Sequence, residues 1–363
     1  MADFDIASVD QNLAVAAAVN APDLELHDVR EAPFQLYGFY DPKNEPVFKR
    51  LPTAVAEQVS AGVNELHYHT AGGRVRFSTD SPYIVIKAVM NKSGRMAHMA
   101  VTGSSGFDLY LDNPDGDSIH YRTFVPPPKI VGGYESKLAV KLGGMRYFTI
   151  NFPLYNDVKE LYVGVAKGSK LGEGVPYRKE APIVYYGSSI TQGGCASRPG
   201  SCYTATVSRA LNMDHINLGF SGNGKGEDTM VDYMKSLDMS VFVCDYDHNA
   251  PDEAHLRATY QKMYDAIREA HPDLPYIMIS RPDYYTHPSF AGHDDSIRRR
   301  QVILDAFHYA IAKGDRHVYF IDGESLLRAD GCTVDGCHPT DLGFYFMTQA
   351  VLPVVRRALM ERD

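Results

Sequence analysis

The hydrophobic rhythm of this 363-residue chain changes once along its length, and that change limits the fold more than any single motif does. From about Leu26 to Val165 the apolar residues come in short runs, such as Tyr83 to Val89, Phe107 to Leu111 and Arg146 to Phe152. The runs are rich in β-branched and aromatic side chains and are separated by Gly, Pro, Asn and Asp, the pattern of half-buried antiparallel strands and their turns. Only Pro52 to Val63 hints at a helical turn. The first half is therefore expected to be an all-β sandwich or jelly roll. Gly168 to Pro176 is heavy in glycine and short of apolar residues, so it reads as a linker between domains at residues 1–175 and 176–363. Two domains also suit a length beyond what one core usually fills.

Past the linker, apolar strand candidates at Ile183 to Tyr186, His215 to Leu218, Val241 to Cys244, Tyr276 to Ser280 and Val318 to Ile321 alternate with helical segments. The helices are expected near Tyr203 to Leu211, Asp228 to Leu237, Glu253 to Ala270, Ser296 to Ala312 and Asp341 to Met360, several with apolar residues at i, i+3, i+4 spacing. This alternation predicts an α/β/α sandwich with about five parallel strands, covered on both faces. Ligands in such sheets bind at the carboxyl ends of the strands.

Charge and cysteine usage narrow the function. The formal net charge is −9, and the densest cationic run, Arg298-Arg299-Arg300, sits among carboxylates in a helical pattern, so nucleic acid is not expected as a partner. No apolar stretch approaches the roughly 18 residues of a membrane helix, and no membrane partner is expected. Five cysteines without paired-ligand spacing fit a reducing compartment, and the acidic start lacks a leader pattern; the expected location is the cytoplasm. Neither a cofactor nor a metal site is expected, because no second His or Cys stands at ligand spacing near the one suggestive histidine, His338.

Unusual polar residues fall where the predicted strands end. Gly187-Ser188-Ser189-Ile190-Thr191 follows the first strand, and Ser189 there is placed as a nucleophile near a helix start; a plain Gly/Ser turn would look much the same. Near the C-terminus, Asp335 stands three residues before His338, so it can fix one ring nitrogen and leave the other to take a proton, with Pro339 opening the last helix. An Asp-capped helix boundary with an incidental His is the bland alternative. Gly222, in Gly219 to Gly224, and Asn249, in Asp245 to Pro251, follow the second and third strands. With the Ser189 N–H they could supply the donors that a developing oxyanion needs. Arg281 and Asp283 after the fourth strand, Arg198, and Tyr284 and Tyr285 are candidates for binding a sugar, with an Arg281–Asp283 ion pair as the structural alternative.

This order of blocks resembles the SGNH, or GDSL-like, hydrolase superfamily over roughly residues 180 to 363. The resemblance implies a flavodoxin-like catalytic domain in which Ser189 is nucleophile, His338 base and Asp335 its orienter, with the Ser189 N–H, Gly222 and Asn249 forming the oxyanion hole. Two departures stand out: Ser188 occupies a position that is often Asp, and the third block reads Asp247-His248-Asn249-Ala250, without the usual Gly and the Asp after the Asn, so that His248 or Asp247 could face the site instead. Gly106-Phe107-Asp108-Leu109-Tyr110, preceded by Gly73 to Ser81, is similar to the β-sandwich module of bacterial SGNH esterases that bear a GxDLY signature. Carbohydrate acetyl esterases share that arrangement. The resemblance implies a serine esterase removing short acyl groups, chiefly acetyl, from O-acetylated carbohydrates, its partner being a small-molecule or oligosaccharide ester. A carbohydrate-binding protein with an inactive hydrolase domain, and a thioesterase, lipase-type acyl hydrolase or peptidase, are the competing readings. The sandwich itself could bind glycan, lend a residue to the site rim or form a homo-oligomer interface.

Overall fold

The computed structural model describes residues 8–10, 19–91, 94–114, 117–282, 288–289, 292–327 and 330–361. Asp283, Tyr284 and Tyr285 lie outside the described residues.

The first half forms two antiparallel sheets. One runs in the order β1 (Leu24–Asp28), β9 (Glu160–Ala166), β4 (Tyr83–Val89), β7 (Gly133–Ala139). The other runs β10 (Leu171–Glu173), β3 (Arg74–Thr79), β8 (Arg146–Asn151), β5 (Phe107–Asp112), β6 (Ser118–Phe124), with β2 (Gln35–Tyr37) also paired to β3. Alternate residues of each strand point inward. Ile84 and Ile86 of one sheet thus share a core with Val75, Phe77, Leu109 and Ile150 of the other, as a sandwich requires. The expected linker is not free chain: β10 within it pairs antiparallel with β3 from Leu171 opposite Thr79 to Glu173 opposite Phe77.

The second half is a five-stranded parallel sheet in the order β12 (His215–Gly219), β11 (Ile183–Gly187), β13 (Val241–Asp245), β14 (Tyr276–Ile279), β15 (Val318–Ile321). That order, 2-1-3-4-5, is the flavodoxin-like one. The strands bury both faces, so alternate residues serve two cores. Val184 and Tyr186 face α6 (Asp228–Lys235), α7 (Glu253–Ala270) and α8 (His293–Ala312), whereas Ile183 and Tyr185 face α5 (Tyr203–Ala210) and α9 (Asp341–Met360). Helix α9 begins after Pro339 rather than on it, because the Thr340 side chain caps the helix by accepting from the Gly343 N–H.

Both cores recruit the first half. Ala56 of α1 (Thr53–Val59) and Val63 of α2 (Ala61–Leu66) join one, and Ala71, Leu154 and Tyr155 join the other. Arg50 lies fully between the halves. Its guanidinium donates to the carbonyls of Asn217 (3.0 Å) and Gly219 (2.6 Å) in β12 and of Leu66 (2.7 Å), and stacks 4.5 Å from the Phe220 ring centroid. Burial draws its pKa down to about 9, which leaves it charged at neutral pH. Replacing one member of such a buried set strands the others without partners. Arg50→Met is accordingly expected to destabilise the chain by about 3 kcal/mol; urea denaturation followed by circular dichroism measures this, and a loss below about 0.5 kcal/mol, the scale of an ordinary surface substitution, would contradict it.

Candidate active site

Strand β11 ends in Gly187 for a steric reason. A Cβ there would lie 2.1 Å from the Thr191 hydroxyl oxygen and 2.3 Å from the Asp245 carbonyl oxygen. The close approach lets the chain turn at once into α4 (Ser189–Gln192). Ser188 caps this single turn: its hydroxyl accepts from the Ile190 N–H at 3.1 Å, while the Thr191 hydroxyl accepts from the Ser188 N–H at 3.1 Å. The residue that departs from the common Asp therefore does a cap's work. Ser189 is then the first helical residue, and its N–H is one of the donors the helix leaves without an internal acceptor.

The Ser189 hydroxyl, largely buried, meets His338 across 149 positions of sequence, with Oγ to Nε2 at 2.9 Å. On the other side of the ring, Nδ1 lies 2.7 Å from Asp335 Oδ2. Asp335 Oδ1 also accepts from the main-chain N–H groups of His338 (2.8 Å) and Cys337 (3.0 Å). Partial burial works to raise the Asp335 pKa but loses to these hydrogen bonds, which hold it at about 2. Asp335 is thus a carboxylate at any pH near neutrality, and its pairing favours the tautomer with hydrogen on Nδ1 and a free lone pair on Nε2.

The loop after β12 brings the next candidates. Gly222 has φ +69°, a left-handed conformation suited to glycine, and open space where a Cβ would stand. Asn249, in a short turn after β13, donates from its amide to the Phe220 carbonyl at 2.7 Å, which commits one of its two N–H donors and sets the side chain against the Gly222 loop. Asp247 does not take that place. It is buried and accepts from the Arg299 guanidinium (3.4 Å) and the Arg281 N–H (3.1 Å). His248 lies instead beside Cys337, with Nδ1 3.8 Å from Sγ.

Two of the expected sugar contacts are engaged elsewhere. Arg198 pairs with Asp108 (3.2 Å) and donates to the Tyr110 hydroxyl, both in the Gly106 to Tyr110 motif. Asp108 also accepts from the Gly200 N–H at 2.8 Å, so the motif grips the loop of residues 197–201. That loop in turn holds Asp341 at the start of α9, through the Ser197 N–H (3.0 Å) and the Ser201 hydroxyl (2.9 Å), three residues from His338. Arg281 braces the Asn249 turn through Asp247 and reaches Ser296 and Asp295 of α8.

A cavity of about 880 Å³ opens beside the Gly222 loop, and neither Arg198 nor Arg281 lines it. Ser221 and Asn223 form its floor, and the first half supplies the rest, including Glu65, Tyr68, His69, Arg95 and Tyr155. The Tyr155 hydroxyl donates to the Ser189 carbonyl at 3.2 Å, which ties the cavity wall to the serine. Gln192, which the motif reading passed over, links the same parts: its amide donates to the Leu154 carbonyl (3.0 Å) and lies 3.2 Å from His69 Nδ1, while its oxygen accepts from the Ser221 N–H (3.0 Å).

Comparison with known proteins bears on the family and the fold. Residues 180–356 match the model of the GDSL-like lipase/acylhydrolase family. These residues form a domain of that family. Residues 24–171 match a second model, GxDLY, describing the N-terminus of SGNH-hydrolase-type esterases. Among solved structures, a protein from Bacteroides ovatus described as a GDSL-like lipase is 28% identical with a TM-score of 0.84, the match covering 93% of this chain and 98% of that one. A salicylyl-acyltransferase from a tetracycline biosynthetic pathway, 17% identical over 93% and 98% of the two chains, has a TM-score of 0.75. An acetyl xylan esterase from the rumen bacterium Butyrivibrio proteoclasticus, 13% identical over 93% and 99%, has a TM-score of 0.57. No curated protein matches the sequence. This GDSL-like enzyme is a carboxylic ester hydrolase.

Two further side chains should make themselves felt. Gln192→Leu removes the acceptor of the Ser221 N–H and loosens the Gly222 loop, so kcat for ester hydrolysis is expected to fall about tenfold with KM little changed, less than the loss of a direct oxyanion donor; an unchanged kcat would contradict it. Asp245, buried at the end of β13, is pushed up to about 7 chiefly by desolvation, against hydrogen bonds from Tyr203 (3.0 Å) and Thr191 (3.1 Å). Its ordinary value in an unfolded chain is about 3.9, so the folded state takes up a proton between these values and stability falls as pH rises through that window. Asp245→Asn should flatten the decline of Tm between about pH 4 and pH 7; a mutant with the wild-type slope would show that this carboxyl does not titrate there.

Proposed function

We propose that the protein is a serine esterase that hydrolyses short acyl esters, acetyl above all, on carbohydrates. The observation carrying the reading is the continuous hydrogen-bonded chain from Ser189 through His338 to Asp335, at 2.9 and 2.7 Å. Ser189 Oγ attacks the ester carbonyl carbon and its proton passes to His338 Nε2; the carbon–oxygen bond to the sugar breaks as that proton moves to the leaving oxygen. Water, deprotonated by the same nitrogen, then releases the acid and restores the serine. The N–H groups of Ser189 and Gly222, with the uncommitted N–H of Asn249, are the donors for the oxyanion. Asp335 stays ionised and stabilises the imidazolium.

The sugar part of the reading rests on the cavity. Its volume of about 880 Å³ exceeds what an acetyl group needs and falls in the range of about 300 to 1,000 Å³ typical of small-molecule sites. Tyr68 and Tyr155 are among the lining residues, and Glu65, Arg95 and Asn223 offer partners for hydroxyl groups, a wall that can take a sugar. Several structural relatives bear carbohydrate-esterase names. An inactive, purely sugar-binding domain is disfavoured by the aligned Ser189, His338 and Asp335.

Ser189→Ala should lower turnover of a small activated acetate ester by at least about 10³-fold without lowering Tm. Wild-type enzyme should release acetate from acetylated oligosaccharides and lose activity as the acyl chain of a simple ester lengthens. Full turnover in the alanine variant would remove the nucleophile assignment, and a preference for long chains would remove the carbohydrate reading.

A further inference from the structure

Beside the serine and its histidine, three side chains from distant parts of the sequence converge. His98, from the segment before α3 (Val101–Ser104), Cys195, from the loop after α4, and His338 each offer one ligand atom, and these atoms all lie within 4.8 Å of one another. The contacts among them are specific. The Cys195 thiol donates to the His98 main-chain carbonyl at 3.4 Å, which holds the His98 segment against the α4 loop. The rings of His98 and His338 stand 5.4 Å apart, centroid to centroid. Cys195 is buried, whereas His98 is exposed.

We infer that His98, Cys195 and His338 form a binding site for a thiophilic divalent transition metal, Zn²⁺ in the first instance, whose occupation blocks hydrolysis reversibly. One sulfur and two imidazole nitrogens are a donor set that Zn²⁺ accepts and that Ca²⁺ and Mg²⁺, which prefer oxygen, do not. Zinc binds such ligands at about 2.0 to 2.3 Å, which places the ligand atoms of a tetrahedral site about 3.5 Å from one another. Closing each pair from at most 4.8 Å to that spacing takes movements of about 1 Å, shared among the exposed His98 ring and the Cys195 and His338 side chains. Cys195 binds as thiolate, its proton passing to solvent, and a water molecule or the Ser189 hydroxyl fills the fourth position.

His338 decides the consequence. Its Nδ1 is held by Asp335 at 2.7 Å, so Nε2 is the nitrogen left for an ion, the same atom that stands 2.9 Å from Ser189 Oγ. A carboxylate on the far nitrogen is also how proteins orient a metal-binding imidazole. One lone pair cannot serve a metal and receive the serine proton at once, so metal binding and turnover exclude each other. The blocking step rests on the esterase reading above; the binding step does not.

The test has two arms with separate readouts. Co²⁺ added to the full chain and to Ser189→Ala should produce a thiolate-to-cobalt charge-transfer absorption that Zn²⁺ displaces, and that Cys195→Ala abolishes. In the second arm, Zn²⁺ should suppress hydrolysis of an activated acetate ester by wild type at least tenfold, with full recovery on adding EDTA. Cys195→Ala and His98→Gln should keep metal-free hydrolysis and need at least tenfold more Zn²⁺ for half inhibition; His98→Gln, at an exposed position, guards against a folding defect at Cys195. Absence of the cobalt–thiolate band, or equal zinc sensitivity in wild type and both variants, overturns the site. A band in a protein that hydrolyses nothing when metal-free would support the site and remove the esterase reading.

Discussion

The glycine at the end of β11 is the constraint on which the rest of the site is built. The backbones of Gly187 and Asp245 approach so closely that no side chain fits between them, and only then can α4 start directly at the sheet edge with Ser189 in its first position. A parallel sheet ends all its strands at one edge, so whatever follows β12 and β13 must come up beside that serine. The Gly222 loop and the Asn249 turn do so. His338 arrives from the other direction, on the segment that leads into α9. The geometry of the site is thus a consequence of strand order, and its fine adjustment belongs to caps and turns.

The sandwich packs into the candidate active site rather than standing apart from it. Arg50 joins the first half to the carbonyls at the end of β12, where the Gly222 loop begins. Asp108 and Tyr110 hold the loop of residues 197–201, and that loop holds Asp341 next to His338. Tyr155 and Leu154 touch the serine turn and Gln192. The signature around Asp108 therefore acts by docking, since its carboxylate is spent on the other half of the molecule. The walls of the cavity proposed to take the sugar also come mainly from the first half.

Much of this was legible in the chain. The helices Glu253–Ala270 and Asp341–Met360 have the expected bounds, because long segments with a clear apolar stripe declare their period. The buried strands of the parallel sheet stand out as continuous apolar runs. What was missed depends on tertiary partners. The segment from Pro52 to Val63 gives only a hint of a helical turn, yet it holds two helices that extend to Leu66, stabilised by burying Ala56 and Val63 in the core of the other half. The glycine-rich stretch around Leu171 reads as linker because pairing with β3 is made by backbone, which composition does not record. Arg198 reads as a candidate sugar contact because it is a polar residue beside the strand ends, and nothing local announces its pairing with Asp108, 90 positions away. His98 and Gln192 were invisible for the same reason.

The proposed mechanism requires that one serine, at position 189, be made nucleophilic by its hydrogen bond to His338. Treatment with a serine-directed fluorophosphonate, followed by intact mass and peptide mapping, addresses it without choosing a substrate. The account predicts a single covalent adduct on the peptide carrying Ser189, formed by wild type and not by His338→Ala. An adduct on another serine, or equal labelling with His338 removed, would contradict it.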